Sequence, residues 1–302
     1  RGCIRKCPFC AVPILEPKYQ PYLPLKERIE RTKRLYGDKQ NLLLMDNNVL
    51  ASKELPQIIE DICSCGFTPK ARYTEPDQYK IAVRNLRLGI NDRAYIRKCW
   101  KLLKEINEMK SLNESERTQI YSLREQYGLL HSETCTKKSL IETYKDFATF
   151  FEKKYSRQKG RLRYVDFNQG VDARLFTDER VSLLSKIAVR PLRIAFDNIK
   201  TETAYTKALN LSVEYGFKDF SNYLLYNFDD KPVDLYHRLR VNVDLCEKLN
   251  VSIYSFPMKY HPIRDEHSHD RDYIGIHWNR KYIRAVQAIL NATKGKVGRG
   301  LS

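Results

Sequence analysis

The stretch Arg1-Gly2-Cys3-Ile4-Arg5-Lys6-Cys7-Pro8-Phe9-Cys10 carries three cysteines in the spacing C-x3-C-x2-C. Three thiols cannot all pair as disulfides. On one short loop they suit a metal or iron–sulfur centre, because a compact loop turns its sulfurs inward. Three protein ligands also leave one coordination position free, which marks a reactive centre rather than a purely structural one. A zinc loop completed by a distant fourth ligand is the alternative. Zinc motifs more often pair two C-x2-C knuckles, and no second knuckle follows here.

Outward from this loop, Pro13, Pro17, Pro21 and Pro24 predict an extended segment over 12–24 with no helix. A basic amphipathic helix is expected over 25–36, stopped by Gly37. The apolar run 41–45 reads as a buried parallel strand ending at Asp46, Asn47 and Asn48. A helix over 54–65 follows. The same rhythm returns with strands over 163–167, 192–196, 222–226 and 251–256, and helices over 177–186, 201–215 and 232–249. Strand-then-helix repetition predicts an α/β fold with a parallel sheet, whose working groups gather at the strands' carboxyl ends. Those ends hold Gln169, Asp172 and Arg174, then Asp197 and Asn198, then 227–230. Between the two runs, 77–160 is strongly charged with helical periodicity, and helices are expected over 93–110, 114–127 and 138–155. The divisions are therefore 1–76 (cysteine loop and first part of the sheet), 77–160 (all-helical insertion), 161–262 (rest of the sheet) and 263–302 (C-terminal loop and helix). That last helix, 280–293, sets Ala285, Ile289 and Ala292 on one side, with Trp278 as its anchor.

Cys3, Cys7, Phe9 and Cys10 fit the pattern C-x3-C-x-aromatic-C, and in this the chain resembles the radical SAM superfamily. Gly2 before the motif and Ala11-Val12-Pro13 after it resemble the tRNA methylthiotransferase branch. The resemblance implies a 4Fe–4S cluster on Cys3, Cys7 and Cys10, with S-adenosylmethionine on the fourth iron and Phe9 beside its adenine. It implies reductive cleavage of the sulfonium to a 5′-deoxyadenosyl radical, with electrons from a donor such as flavodoxin or ferredoxin. It also implies a partial (βα)6 barrel. Five strands are visible, and the one expected before Cys3 would lie upstream of this sequence. Asp46 or Asn47 stands where the family has a Gly-Gly-Glu-like element that receives the SAM amino group. Arg174 suits the SAM carboxylate, and Gln169, Asp172 and Asp197 suit its hydroxyls. The family's glycine-rich turn has no glycines at 227–230.

A formal charge of +17 suggests polyanionic partners such as nucleic acid, although a solvated basic surface would carry the same balance. Arg84, Arg87, Arg93, Arg97, Lys98, Lys101 and Lys104 cluster along the insertion, which reads either as packing or as a substrate arm. No apolar run approaches the roughly 20 residues of a membrane helix. Five further cysteines, at 63, 65, 99, 135 and 246, are scattered, as expected in a reducing cytosol. His261, His267, His269 and His277 interleave with Asp265, Glu266, Asp270 and Asp272, and read as a polar loop. The chain opens directly on the cysteine loop and ends in a glycine-rich stretch, so sequence is expected beyond both ends. Two functions emerge: a radical SAM enzyme of unidentified substrate, with RNA methylthiolation or a cobalamin-linked reaction as versions of it, and a nucleic-acid-binding protein with a structural metal loop.

Overall fold

The computed structural model describes residues 2–45, 47–264 and 266–294. In chain order the elements are α1 (Val12–Leu15), α2 (Leu25–Tyr36), β1 (Asn41–Leu44), α3 (Leu55–Ser64), β2 (Arg72–Tyr73), α4 (Gln78–Arg87), α5 (Asp92–Asn107), α6 (Glu114–Gln126), α7 (Lys137–Glu142) and α8 (Tyr144–Ser156). They continue with β3 (Arg161–Leu162), β4 (Tyr164–Phe167), β5 (Val171–Asp172), α9 (Asp178–Ser185), β6 (Leu192–Ala195), α10 (Glu202–Glu214), β7 (Asp219–Tyr226), α11 (Pro232–Leu249), β8 (Ser252–Lys259) and α12 (Arg280–Ala292). The chain forms two compact units. One holds Arg1–Lys26, Asn41–Ala71 and Arg163–Ser302, and the other holds Glu27–Gln40 and Arg72–Leu162.

The first unit is α/β with parallel sheets. β1 pairs with β4 in the register Leu42↔Val165, and β5, β6, β7 and β8 form a second parallel sheet in that order. A parallel bridge between Val165 and Val189 leads from β4 towards β6. Among the described residues no closed barrel forms, and of the expected partial (βα)6 barrel what is seen is the parallel sheets. Alternation along the strands sends Val165, Phe167, Leu192, Ile194, Phe220 and Leu224 into the core, all at most 3% exposed. A buried polar chain binds the helices to this face. Asn222 donates to the Tyr205 hydroxyl (2.7 Å), Tyr205 to Asn242 (2.8 Å), and Asn242 to Ser255 (2.8 Å). Tyr205 also stacks on Phe196 with ring centroids 4.3 Å apart. The opposite face carries Asp166, Arg193, Ser221 and Tyr223. Arg193 forks onto Asp166 at 2.8 Å and donates to Ser221 at 3.0 Å.

The second unit packs α4, α5, α6, α7 and α8 around Tyr79, Leu86, Cys99, Leu103, Ile120, Leu140, Phe147 and Phe151. Its helix starts follow from capping chemistry. Asp77 accepts from two backbone N–H groups, and Asn113 forms a reciprocal box with Glu116.

Three expectations need correction. Residues 12–24 do contain a helical turn, Val12–Leu15, because Pro13 falls in its first turn, where a missing N–H costs nothing. The single helix expected over 138–155 is two, α7 and α8. Thr143 lies between them with its hydroxyl bonded back to the Ser139 carbonyl, a local alternative to the helical ladder. On α12 it is Ile283 and Val286 that pack on the core, while Ile289 is 46% exposed. The branched side chains remove more apolar area from water than Ala285 and Ala292 would. Among the described residues no helix is long and apolar enough to cross a membrane.

Candidate functional site

Because the strands are parallel, their carboxyl ends share one edge, and the cysteine loop is tied to that edge. Gly2 starts the loop at φ +71°, with its Cα so close to residues 18–19 that a Cβ would sit 2.7 Å from the Lys18 carbonyl oxygen. Only glycine accepts both demands. The Gly2 N–H donates to Glu16 at 2.8 Å, and the Asn47 amide bridges the Glu16 carboxylate (2.7 Å) and the Gly2 carbonyl (3.3 Å). Within the loop, Cys10 N–H closes a turn onto the Cys7 carbonyl. The backbone N–H groups of Arg5 and Val12 approach the sulfurs of Cys3 and Cys10, each at 3.4 Å.

Asp172, at the end of β5, fastens the loop from the other side. Arg5 Nε donates to it at 2.7 Å, and Arg174 forks onto the same carboxylate at 2.8 and 2.9 Å. Burial works to raise the Asp172 pKa, but the bonds from Arg174 and Arg5 outweigh it and hold the carboxyl below its usual range. Asn48 accepts the Asp172 backbone N–H at 3.3 Å.

All three cysteines are free and partly exposed. The Cys7 thiol is pushed up by burial first, then by the neighbouring Cys10, Asp197 and Cys3 charges, with Arg174 opposing. Cys7 therefore lies within electrostatic reach of both other cysteines and of strand-end residues Asp197 and Arg174. Among the described residues, no three His, Cys, Asp or Glu groups are drawn together closely enough to hold a single metal ion. Asp197 keeps some open surface, yet burial pushes its carboxyl up to about 6, with Asp172 adding to the rise and Arg238 opposing it.

Aromatic rings continue the edge. Phe9 meets Phe228 edge-on at 5.9 Å, Phe228 meets Tyr260 at 4.6 Å, and Tyr260 meets Tyr273 at 6.1 Å.

The sequence-predicted residues divide accordingly. Cys7 is within electrostatic reach of Cys3, Cys10, Asp197 and Arg174, and Asp172 binds both Arg174 and the loop residue Arg5. Asn47 is committed to holding the cysteine loop. Gln169 lies in an exposed turn after β4, and Asp46 lies outside the described residues. Asn198 caps a short turn through Lys200 N–H. Residues 227–230 brace the edge. Asn227 donates to the carbonyls of Tyr260 and Tyr273 and accepts Gly275 N–H, and Asp230 takes the Trp278 indole N–H on its carbonyl at 2.8 Å.

No family model matches the chain, and no curated protein matches it. Among solved structures it is similar to the coproporphyrinogen III oxidase HemN from Escherichia coli, described as a radical SAM enzyme, with 13% identity and a TM-score of 0.30. The likeness covers 58% of this chain and 45% of that one, so the chain spans less than half of HemN. A likeness this slight carries no part of the functional argument.

Arg5, Glu16 and Arg238 were not singled out by sequence. Arg5 had a signal: a cation inside a loop of thiols needs a carboxylate to fix it. Arg238 had one too. It shares a helical stripe with Leu235, Asn242 and Leu245, all of them buried.

Proposed function

We propose that the chain is a radical SAM enzyme. The observation that carries this reading is a C-x3-C-x-aromatic-C loop tied down at the carboxyl edge of a parallel sheet. The donor set, three cysteines on one loop with no second C-x2-C knuckle to supply a fourth thiolate, fits a 4Fe–4S cluster with one open iron better than a four-ligand zinc ion. Cys3, Cys7 and Cys10 would hold the cluster, which with S-adenosylmethionine supplies reductive carbon–sulfur cleavage and a carbon-centred radical.

The chain's own residues do the rest. Arg5 and Asp172 hold the loop against the sheet, and Asn47 and Glu16 hold its start. The Phe9–Phe228–Tyr260 rings offer an apolar wall for an adenine and keep water from it. Asp197, which has neither a hydrogen bond nor an ion pair on its carboxylate among the described residues, is free to accept from ribose hydroxyls. Arg174 is already forked onto Asp172, so only its remaining N–H groups are available to a carboxylate. The face of Asp166, Arg193, Ser221 and Tyr223 is where a substrate would lie.

The test is anaerobic reconstitution with iron and sulfide, then reduction with S-adenosylmethionine. Formation of 5′-deoxyadenosine supports the proposal. Stoichiometric zinc with no cleavage overturns it in favour of a structural metal loop.

A further inference from the structure

The helical unit contains a cavity of about 490 Å³ between the end of α2 and α4, lined by Arg31, Arg34, Leu35, Arg84, Asn85 and Leu88. Its α4 side is held in place, while Arg31 and Arg34 reach it from the exposed face of α2. The buried Asn85 amide donates to the Leu35 carbonyl at 2.6 Å, and Arg84 Nη2 bonds the carbonyls of Arg34 and Leu35. Gly37 then ends α2 at φ +76°, where a Cβ would meet Pro76 at 2.9 Å.

The charges in the cavity are not balanced. None of the three arginines makes an ion pair with a carboxylate among the described residues. Glu27 and Glu30 lie four residues before Arg31 and Arg34, yet no ion pair forms between them. Arg84 spends Nε and Nη2 on protein acceptors, which leaves the N–H groups of Nη1. Clustered cations repel unless an anion joins them, and the guanidinium fork matches phosphate oxygens two at a time. Leu35 and the 65%-exposed Leu88 add an apolar surface suited to a base or ribose. The volume lies within the range of nucleotide-sized sites.

With the cavity's three arginines included, the unit carries 25 Lys and Arg against 15 Asp and Glu. A lone small anion would not need that excess, whereas a strand with regularly spaced phosphates would use it. We propose that this cavity seats a phosphate of a single-stranded nucleic acid, with Arg31, Arg34 and Arg84 as its ligands. The inference is independent of the cluster.

The test uses the full chain and a short labelled oligouridylate, with affinity read by fluorescence anisotropy across salt. Arg31→Ala/Arg34→Ala is compared with Lys101→Ala/Lys104→Ala, which removes the same charge from α5 outside the cavity. Two lost contacts should weaken binding about 25-fold at about 0.1 M salt and reduce the log–log salt slope by about 1.4. The lysine pair should change affinity by less than about threefold. Arg31→Lys/Arg34→Lys, which keeps charge but loses the forks, should fall between. Equal losses from both alanine pairs would overturn the site in favour of diffuse attraction. So would saturable binding of inorganic phosphate in the cavity with oligouridylate affinity unchanged by Arg31→Ala/Arg34→Ala.

Discussion

Replacing Arg238 by Met probes how the edge of the sheet is held. Arg238 is fully buried, and its guanidinium donates to the carbonyls of Asp234 (3.2 Å), Phe196 (3.2 Å), Asp197 (2.9 Å) and Leu225 (2.8 Å). It also pairs with Asp230 at 3.0 Å, where the carboxylate is only 8% exposed. One side chain on α11 thus fastens the ends of β6 and β7 that carry Asp197 and residues 227–230. A methionine keeps most of the apolar stem, so the loss is chiefly polar. Stranding a buried partner costs about 3–5 kcal/mol, well above the 0.5–1.5 kcal/mol or so of an ordinary hydrogen bond. The loss should depend on pH. Burial already raises the Asp230 pKa, and Arg238 opposes that rise. Without the arginine the folded carboxyl binds its proton more tightly than the unfolded one, whose pKa is about 3.9. A group raised on folding loses its contribution as pH climbs through the folded value, so the variant should be hurt less at about pH 5 than at about pH 8. Urea titrations at both pH values read this directly. Adding Asp230→Asn removes the stranded charge and should recover about 1 kcal/mol or more. A loss below about 1 kcal/mol, or one equal at both pH values and unrelieved by Asp230→Asn, would refute the reasoning.

Three further outcomes follow from contacts already described. Asp172→Ala frees Arg5 and Arg174, whose side chains are 38% and 48% exposed, so solvent screening limits the cost to about 1 kcal/mol in urea. That contribution should fade as pH falls below about 4, because the native carboxyl is held below its unfolded value. Gly275→Ala places a Cβ 2.6 Å from the Asn227 carbonyl oxygen and 2.8 Å from that of Phe228, and should cost about 1–3 kcal/mol in thermal melts. Asn113→Ala removes the capping box of α6 and should cost about 1 kcal/mol, with no change at the cysteine loop.

Much of the fold was legible in the sequence, because apolar strand runs and amphipathic helices announce themselves by period. β1, β4, β6, β7 and β8 appear where the runs at 41, 163, 192, 222 and 251 predict them, within a few residues. The helical turn at Val12 and the break at Thr143 were hidden, since each depends on where a proline or a hydroxyl falls within one turn. The cysteine loop was legible as a motif. Its fastening was not, because the pairing of Arg5 with Asp172 spans 167 residues and leaves no local trace. Strand-end polarity named Asp172, Arg174 and Asn47 as ligand contacts, whereas much of their bonding capacity is used within the protein. Polarity at a strand end shows that a side chain will find a partner, not which one.

The central claim is that Cys3, Cys7 and Cys10 share one cluster with a vacant iron. Its most direct measurement is iron and sulfide content with electron paramagnetic resonance of the reduced, reconstituted chain, before and after S-adenosylmethionine. The account predicts about four iron and four sulfide per chain, a spectrum altered by S-adenosylmethionine, and loss of both in Cys7→Ser. A full iron–sulfide complement that survives Cys7→Ser, or a spectrum indifferent to S-adenosylmethionine, would contradict it.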